Sequence, residues 1–160
     1  MNFTTKLEAI EKLRETRERS AFGELETSNR ARDLAEATAA GFEQHLQIQT
    51  ETVRAQQTQL YEEIIGKNLS SEDFDEMRSR VDSKNAKLDL LAEQCGKAKD
   101  AATSAGEIAN NAKAKHAQVF RAKQKWAAVM KRDAERLQRS ENHRDELAIE
   151  DSFGHLRTSW

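Results

Sequence analysis

The second half of the chain carries an apolar residue at nearly every third or fourth position, and the phase of this repeat never breaks between residues 74 and 137. Fifteen of the nineteen positions in the repeat are apolar, whereas only 37% of the whole chain is hydrophobic. An average spacing of about 3.5 residues is that of a coiled-coil helix. The positions are Phe74, Met77, Val81, Lys84, Leu88, Leu91, Cys95, Ala98, Ala102, Ala105, Ala109, Ala112, His116, Val119, Lys123, Trp126, Met130, Asp133 and Leu137.

The first half carries a weaker repeat of the same kind, with Gln49 and Gln56 at positions where apolar residues are expected. Disorder is not expected despite 34% charged residues, because the net charge is only -2 and proline is absent. The abundant Ala, Glu, Lys, Arg, Leu and Gln are the best helix formers. The positions of each repeat form the seam of its helix, the side that would face a partner helix. The apolar seam positions of the first half are Leu7, Ile10, Ala21, Leu25, Ala35, Ala39, Phe42, Leu46, Val53, Leu60 and Ile64.

The two repeats are separated by a short turn, residues 66–71. Gly66 suits the left-handed residue that follows a helix end, and Ser70 suits the cap of the next helix, with Asp73 at its third position. A few residues cannot carry the chain back to start a parallel pair, so the prediction is an all-α fold, a long antiparallel two-helix coiled-coil hairpin. We expect one domain, with helix 1 at about 5–65, helix 2 at about 71–149 and a frayed tail at 150–160.

Folding the chain about residue 69 pairs positions whose numbers sum to about 138, so that Leu46 meets Leu91 and Phe42 meets Cys95. Residues 138–160 then extend past the paired region. This overhang carries spaced apolar residues, which predict either a docking segment or a disordered end. They are Leu147, Ile149, Phe153, Leu156 and Trp160.

No catalytic site, metal site or cofactor is predicted. Two helices do not enclose a cavity that excludes water, the four histidines are scattered, and no glycine-rich phosphate loop is present. Cys95 is better explained as a small seam residue than as a nucleophile. Because neither a secretory signal nor a membrane-spanning stretch is recognisable, we expect a cytoplasmic protein.

Charge is segregated along the chain. Residues 43–76 hold eight acids and two bases, whereas residues 113–144 hold ten bases and three acids. Solvated helix faces account for this pattern, as do two ends that bind different partners. The basic stretch allows a nucleic-acid-associated coiled coil. Its lysines and arginines surround the helix, however, no aromatic platform interleaves with them, and Lys123 falls in the apolar repeat, so nucleic acid is not the expected partner. A generic coiled-coil scaffold or spacer is the other alternative.

The hairpin, its acidic turn and its basic second helix resemble the FliJ/YscO family, the stalk proteins of flagellar and type III secretion export machinery. The local likeness is densest in residues 126–141, WAAVMKRDAERLQRSE, and in residues 144–148, RDELA. The resemblance implies a non-enzymatic stalk or adaptor whose open end engages a hexameric secretion ATPase and whose turn end faces the membrane protein of the export gate. The resemblance also implies export chaperones as further partners and a cytoplasmic location peripheral to the inner-membrane export apparatus.

The resemblance also directs attention to residues at the two ends of the hairpin. The candidates for binding the ATPase ring are Arg132, Arg136, Arg139, Arg144, Leu147 and Ile149. The candidates for facing the gate are Gln56, Leu60, Tyr61, Phe74 and Met77. This second group departs from the aromatic pattern expected of the family, because Tyr61 is the only tyrosine in the chain.

Overall fold

The computed structural model describes the backbone of residues 3–157 and the side chains of residues 6–153. It contains two α-helices, α1 (Phe3–Ile64) and α2 (Ser71–Arg157), and no strand within the described residues. Side chains of the two helices contact each other in antiparallel order. Lys99 Nζ lies 2.9 Å from Glu43 Oε1, and Gln57 Nε2 lies 3.0 Å from Asn85 Oδ1. The predicted all-α antiparallel hairpin is confirmed.

Residue contacts divide the chain into two compact units. The closed-end unit, Glu24–Lys113, contains the turn and the adjoining parts of both helices. The open-end unit combines Met1–Gly23 with Ala114–Trp160. Each unit therefore contains a stretch of α1 packed against a stretch of α2, and the two are described separately below.

The turn has the geometry that its sequence predicts. Gly66 adopts a φ of +85°, the left-handed conformation that costs a side-chain-bearing residue energy. The Lys67 amide donates a hydrogen bond to the carbonyl of Ile64, at 3.0 Å. Ser70 then caps α2, because its Oγ accepts a hydrogen bond from the Asp73 amide at 3.1 Å while the Asp73 carboxylate accepts from the Ser70 hydroxyl at 2.7 Å.

The seam of α2 also agrees with the prediction. Every predicted position from Met77 to Met130 is buried or half-buried. Few side chains are fully covered, because each helix has only one neighbour, and small residues predominate among those that are. The buried apolar residues of the described part are Ala21, Ala39, Val53, Leu91, Cys95 and Ala109.

Two expectations need correction. Phe74, Asp133 and Leu137 were predicted in the seam of α2, and Ile10 and Gln56 in that of α1, yet all five are exposed, Phe74 at 51% and Leu137 at 64%. Phe74 lies in the first turn of α2, beyond the place where α1 provides a facing helical turn. The second helix was also expected to end at about residue 149, whereas α2 continues to Arg157. Ser152 Oγ donates to the Ile149 carbonyl at 2.7 Å, a local bond compatible with a helix.

Candidate protein-binding surfaces

The open end of α2 is exposed along its whole described length, because every residue from 131 to 153 is exposed. Arg132, Arg136 and Arg139 are spaced by four and three residues, so they form one stripe on the helix surface. Arg139 is held loosely by Glu135, with 4.0 Å between its Nη2 and the Glu135 Oε2. Guanidinium groups in this setting are available to carboxylates of a partner.

The other open-end candidates do not all share the arginine face. At about 100° per residue, Leu147 falls beside the arginine stripe, further along the helix, whereas Arg144 lies about 110° around the helix from the middle of the stripe. Ile149 lies two residues after Leu147 and therefore points to the opposite side. Four of the six predicted residues, Arg132, Arg136, Arg139 and Leu147, therefore share one surface, and Arg144 and Ile149 lie on either side of it. Leu156 and Trp160 lie outside the residues whose side chains are described.

The turn-end candidates are brought together only in part. Leu60 and Met77 line one shallow groove between the helices, which Asp73, Glu76 and Arg80 complete. Tyr61 and Phe74 are exposed, at 54% and 51%. Gln56 is already engaged, since its Oε1 accepts a hydrogen bond from Lys84 Nζ at 2.7 Å. Leu60 and Met77 are thus partly covered, whereas Tyr61 and Phe74 leave aromatic surface exposed near the turn.

A charged cluster in the open-end unit was missed by the sequence reasoning. Glu18 is mostly covered by the helices, with a side chain 22% exposed. One of its carboxylate oxygens lies 3.2 Å from His116 Nε2, and the other lies 3.4 Å from Lys123 Nζ. The rings of Phe22 and Phe120 pack on His116, with centroids 5.6 Å and 6.0 Å away. One carboxylate therefore holds two basic side chains of the facing helix within the seam.

The electrostatics of this cluster favour an ionised Glu18. The hydrogen bond with His116 lowers the pKa of the Glu18 carboxyl, and the hydrogen bond and charge of Lys123 lower it further, while burial acts in the opposite direction. The net effect is a pKa below the ordinary value of 4.5. The carboxylate thus stays charged at neutral pH.

Arg14 forms a second polar contact in the same unit. Its Nη1 donates to the Ala122 carbonyl at 3.1 Å, and its guanidinium carbon lies 5.2 Å from the Trp126 ring centroid, a cation–π geometry. Arg14 Nε and Trp126 Nε1 have no hydrogen-bond partner, although both atoms are buried. These two side chains line a groove together with Ala122, Lys125 and Val129.

A signal for the missed residues is present in the sequence. Continuing the alternating three-and-four spacing back from Ala21 reaches Glu18 and Arg14, both of which occupy seam positions. Because both residues are charged, a search for apolar residues at this spacing does not find them. His116 and Lys123 are polar residues at predicted seam positions, and Glu18 is the carboxylate that contacts both.

Other kinds of site receive little support from the described residues. No group of three or more potential metal ligands is found among them. Within the same residues, neither helix is long and apolar enough to cross a membrane. Cys95 is 4% exposed in the seam of the closed-end unit.

The chain matches a family model described as type III secretion protein YscO over residues 4–155. No curated protein and no solved structure matches the chain significantly. The family match covers nearly the whole chain, including both helices and the turn. It confirms the resemblance drawn from the residues near the end of α2.

Proposed function

We propose that this chain, which belongs to the family of type III secretion protein YscO, is a non-enzymatic stalk or adaptor of the export apparatus. In this proposal the exposed open end of α2 engages the hexameric export ATPase, and the turn end contacts the export gate. Export chaperones are further candidate partners. The family alone makes the chain a type III secretion component; the assignment of ends to partners is our inference.

One observation carries the proposal, the arginine stripe on an uncovered length of helix. Arg132, Arg136 and Arg139 project from a region in which no described residue is buried. Arginine is enriched where protein surfaces bind carboxylates, because its planar group donates paired hydrogen bonds. Leu147 adds an apolar contact beside the stripe, at 47% exposure. A ring lumen lined with carboxylates would match this surface.

The turn end differs in chemistry. Tyr61 and Phe74 expose aromatic surface, and Glu72, Asp73 and Glu76 surround the start of α2 with negative charge. Aromatic residues are enriched in the centres of protein interfaces. This end therefore suits a partner with apolar pockets and basic residues around them, which is the chemistry we propose for the gate contact.

The test measures ATP turnover by the purified export ATPase with the full-length chain. We expect the chain to stimulate turnover, and we expect the triple substitution R132E, R136E and R139E to abolish the stimulation. The matched control is R54E, K67E and R78E, which changes the net charge equally at the closed end and should leave the stimulation intact. Circular dichroism checks that both variants remain helical. Unchanged turnover with the wild-type chain, or equal losses in both variants, would refute the ATPase contact and favour a scaffold.

The gate contact is tested separately with the soluble cytoplasmic domain of the export gate protein. We expect this domain to bind the wild-type chain and to bind a chain carrying Y61A and F74A more weakly. The open-end triple variant should bind it as well as the wild type does. If Y61A and F74A leave the affinity unchanged, the turn end is not the gate-binding surface.

A further inference from the structure

The two flanks of the seam in the closed-end unit are built differently. On one flank, polar bridges cross between the helices, from Lys99 to Glu43 and from Gln57 to Asn85. On the other flank the seam opens into a groove. Its floor is formed by Val53, Leu88 and Leu91, and His45, Gln49, Lys84, Lys87, Leu90 and Gln94 complete its lining. The hydrogen bond between Lys84 and Gln56 lies at the end of this groove nearer the turn.

Exposed aliphatic residues concentrate on the groove flank. With the seam residues at heptad positions a and d, this flank consists of positions c and g of both helices. Away from the turn, the closed-end unit exposes four large aliphatic side chains, and all four occupy c or g positions. They are Leu34 at 70%, Ile48 at 50%, Leu90 at 58% and Ile108 at 57%. Scattered apolar residues on a surface need no explanation, but alignment along one flank beside an apolar groove marks an interaction surface.

The same flank lacks negative charge. Across residues 31–55 and 80–104, none of the c and g positions is Asp or Glu, and Arg80, Lys87 and Lys97 are basic. Arg80 pairs with Glu76 and Lys97 pairs with Glu93, whereas Lys87 makes no ion pair with any described residue. The opposite flank, positions b and e of the same stretches, carries five carboxylates. They are Asp33, Glu36, Glu43, Asp82 and Asp89.

We propose that this groove binds an amphipathic helix of a partner protein, with the apolar stripe of that helix on Val53, Leu88 and Leu91 and its carboxylates facing Lys87. A third helix covers Ile48 and Leu90 as well, in the helix-in-groove mode of recognition. The charge of the flank selects an acidic partner.

The charge also argues against a second copy of this chain as the occupant. A symmetric pair places the same patch of both copies face to face. Lys87 and its basic neighbours would then meet their own equivalents, and like charges brought together at an interface are unfavourable. This inference does not depend on engagement of an ATPase or a gate, because none of those candidate residues lines the groove.

The test uses two synthetic peptides as probes, each longer than ~15 residues so that a helix can form. Both carry leucine at the a and d positions of a heptad. One carries glutamate at the flanking positions, and its twin carries lysine there. Binding of each fluorescently labelled peptide to the full-length chain is measured by anisotropy. We expect the glutamate peptide to bind at least about tenfold more tightly than the lysine peptide, a difference expected of complementary charge.

Two matched double variants locate the binding surface. I48E with L90E places carboxylates on the groove flank, whereas A40E with A92E adds the same charge at exposed positions of the opposite flank. All four positions are exposed, so both variants should keep the helical content of the wild type. We expect the first variant to lose at least about tenfold in affinity for the glutamate peptide and the second to bind as the wild type does, apart from a small general charge effect.

A single charge reversal gives a second, independent measurement. K87E should weaken binding of the glutamate peptide and strengthen binding of the lysine peptide. Equal losses in the two double variants, or equal affinities for both peptides, would overturn the proposal. Sedimentation provides a further check. A wild-type dimer that I48E with L90E converts to a monomer, without peptide binding by either form, would show that a second copy occupies the groove and would refute the partner helix.

Discussion

A pair of glycine-to-alanine substitutions tests whether the turn of the hairpin is held by backbone conformation. Gly66 and Gly96 both belong to the closed-end unit, and an added Cβ would meet no atom within 4 Å at either position. The two differ in backbone conformation, since Gly66 has a φ of +85° and Gly96 lies within α2. A difference in stability between G66A and G96A therefore reports on backbone conformation and not on steric contact.

The two substitutions should change the free energy of unfolding differently. G96A should stabilise the chain by about 1 kcal/mol, because alanine is the better helix former and restricts the unfolded chain. G66A restricts the unfolded chain in the same way, but it forces a Cβ into the left-handed region at a cost of roughly 1–2 kcal/mol. The net effect of G66A lies between about zero and 1.5 kcal/mol of destabilisation. The two variants should therefore differ by about 2 kcal/mol in free energy of unfolding.

Urea denaturation followed by circular dichroism at 222 nm measures this difference. The denaturation midpoint of G96A should rise, and that of G66A should fall or stay near the wild-type value. The slope of the unfolding free energy against urea concentration should be the same for all variants. A third variant, G66N, is the control, since asparagine tolerates the left-handed region better than alanine does. It should be more stable than G66A. If G66A stabilises as much as G96A, the turn does not depend on a left-handed residue and the explanation given for Gly66 is wrong.

Two further predictions concern the seam. L91A should lower the free energy of unfolding by about 2–4 kcal/mol, because Leu91 is 9% exposed and its truncation leaves a cavity. L90A, at the exposed neighbouring position, should change it by less than about 0.5 kcal/mol. Similar urea midpoints for the two variants would contradict the assigned seam. E18Q should lower the free energy of unfolding at neutral pH. The difference from the wild type should shrink as the pH falls through 4.5 toward the lowered pKa of Glu18, because the wild-type carboxylate then also becomes neutral. A deficit that is equal at pH 7 and at about pH 3 would show that the ionised carboxylate does not stabilise the seam.

The fold was largely predictable because its signals are local and repeated. The seam of α2 needs only a constant spacing of apolar residues, and the burial of Met77 through Met130 follows from that spacing. Ser70 and Asp73 form a cap from residues three apart, so the start of α2 could be predicted without tertiary information. Phe74 was misplaced because the same spacing extends past the point where α1 ends, and spacing alone does not indicate where the facing helix stops.

The binding surfaces were less predictable, because they depend on which side of a helix each residue occupies once its partner is in place. Arg14 and Glu18 looked like ordinary solvated charges, yet both are seam residues that contact α2. The opposite orientation of Leu147 and Ile149 follows from helical geometry only after the helix is known to continue through both. The groove beside Leu88 becomes visible only when the contacts between the helices identify its flank.

The two units differ in the interactions that stabilise their seams, because polar and apolar seam residues are distributed differently between them. In the closed-end unit the seam is largely apolar, with Leu91 and Cys95 among its buried residues, so its stability rests on burial. In the open-end unit, Glu18 and Arg14 replace apolar seam residues, and their contacts depend on matched charges and rings in α2. A polar seam residue favours one register at some cost in stability, because a shifted helix leaves a covered charge without its partner. The charged seam residues of the open-end unit therefore favour one alignment of the two helices over maximum stability.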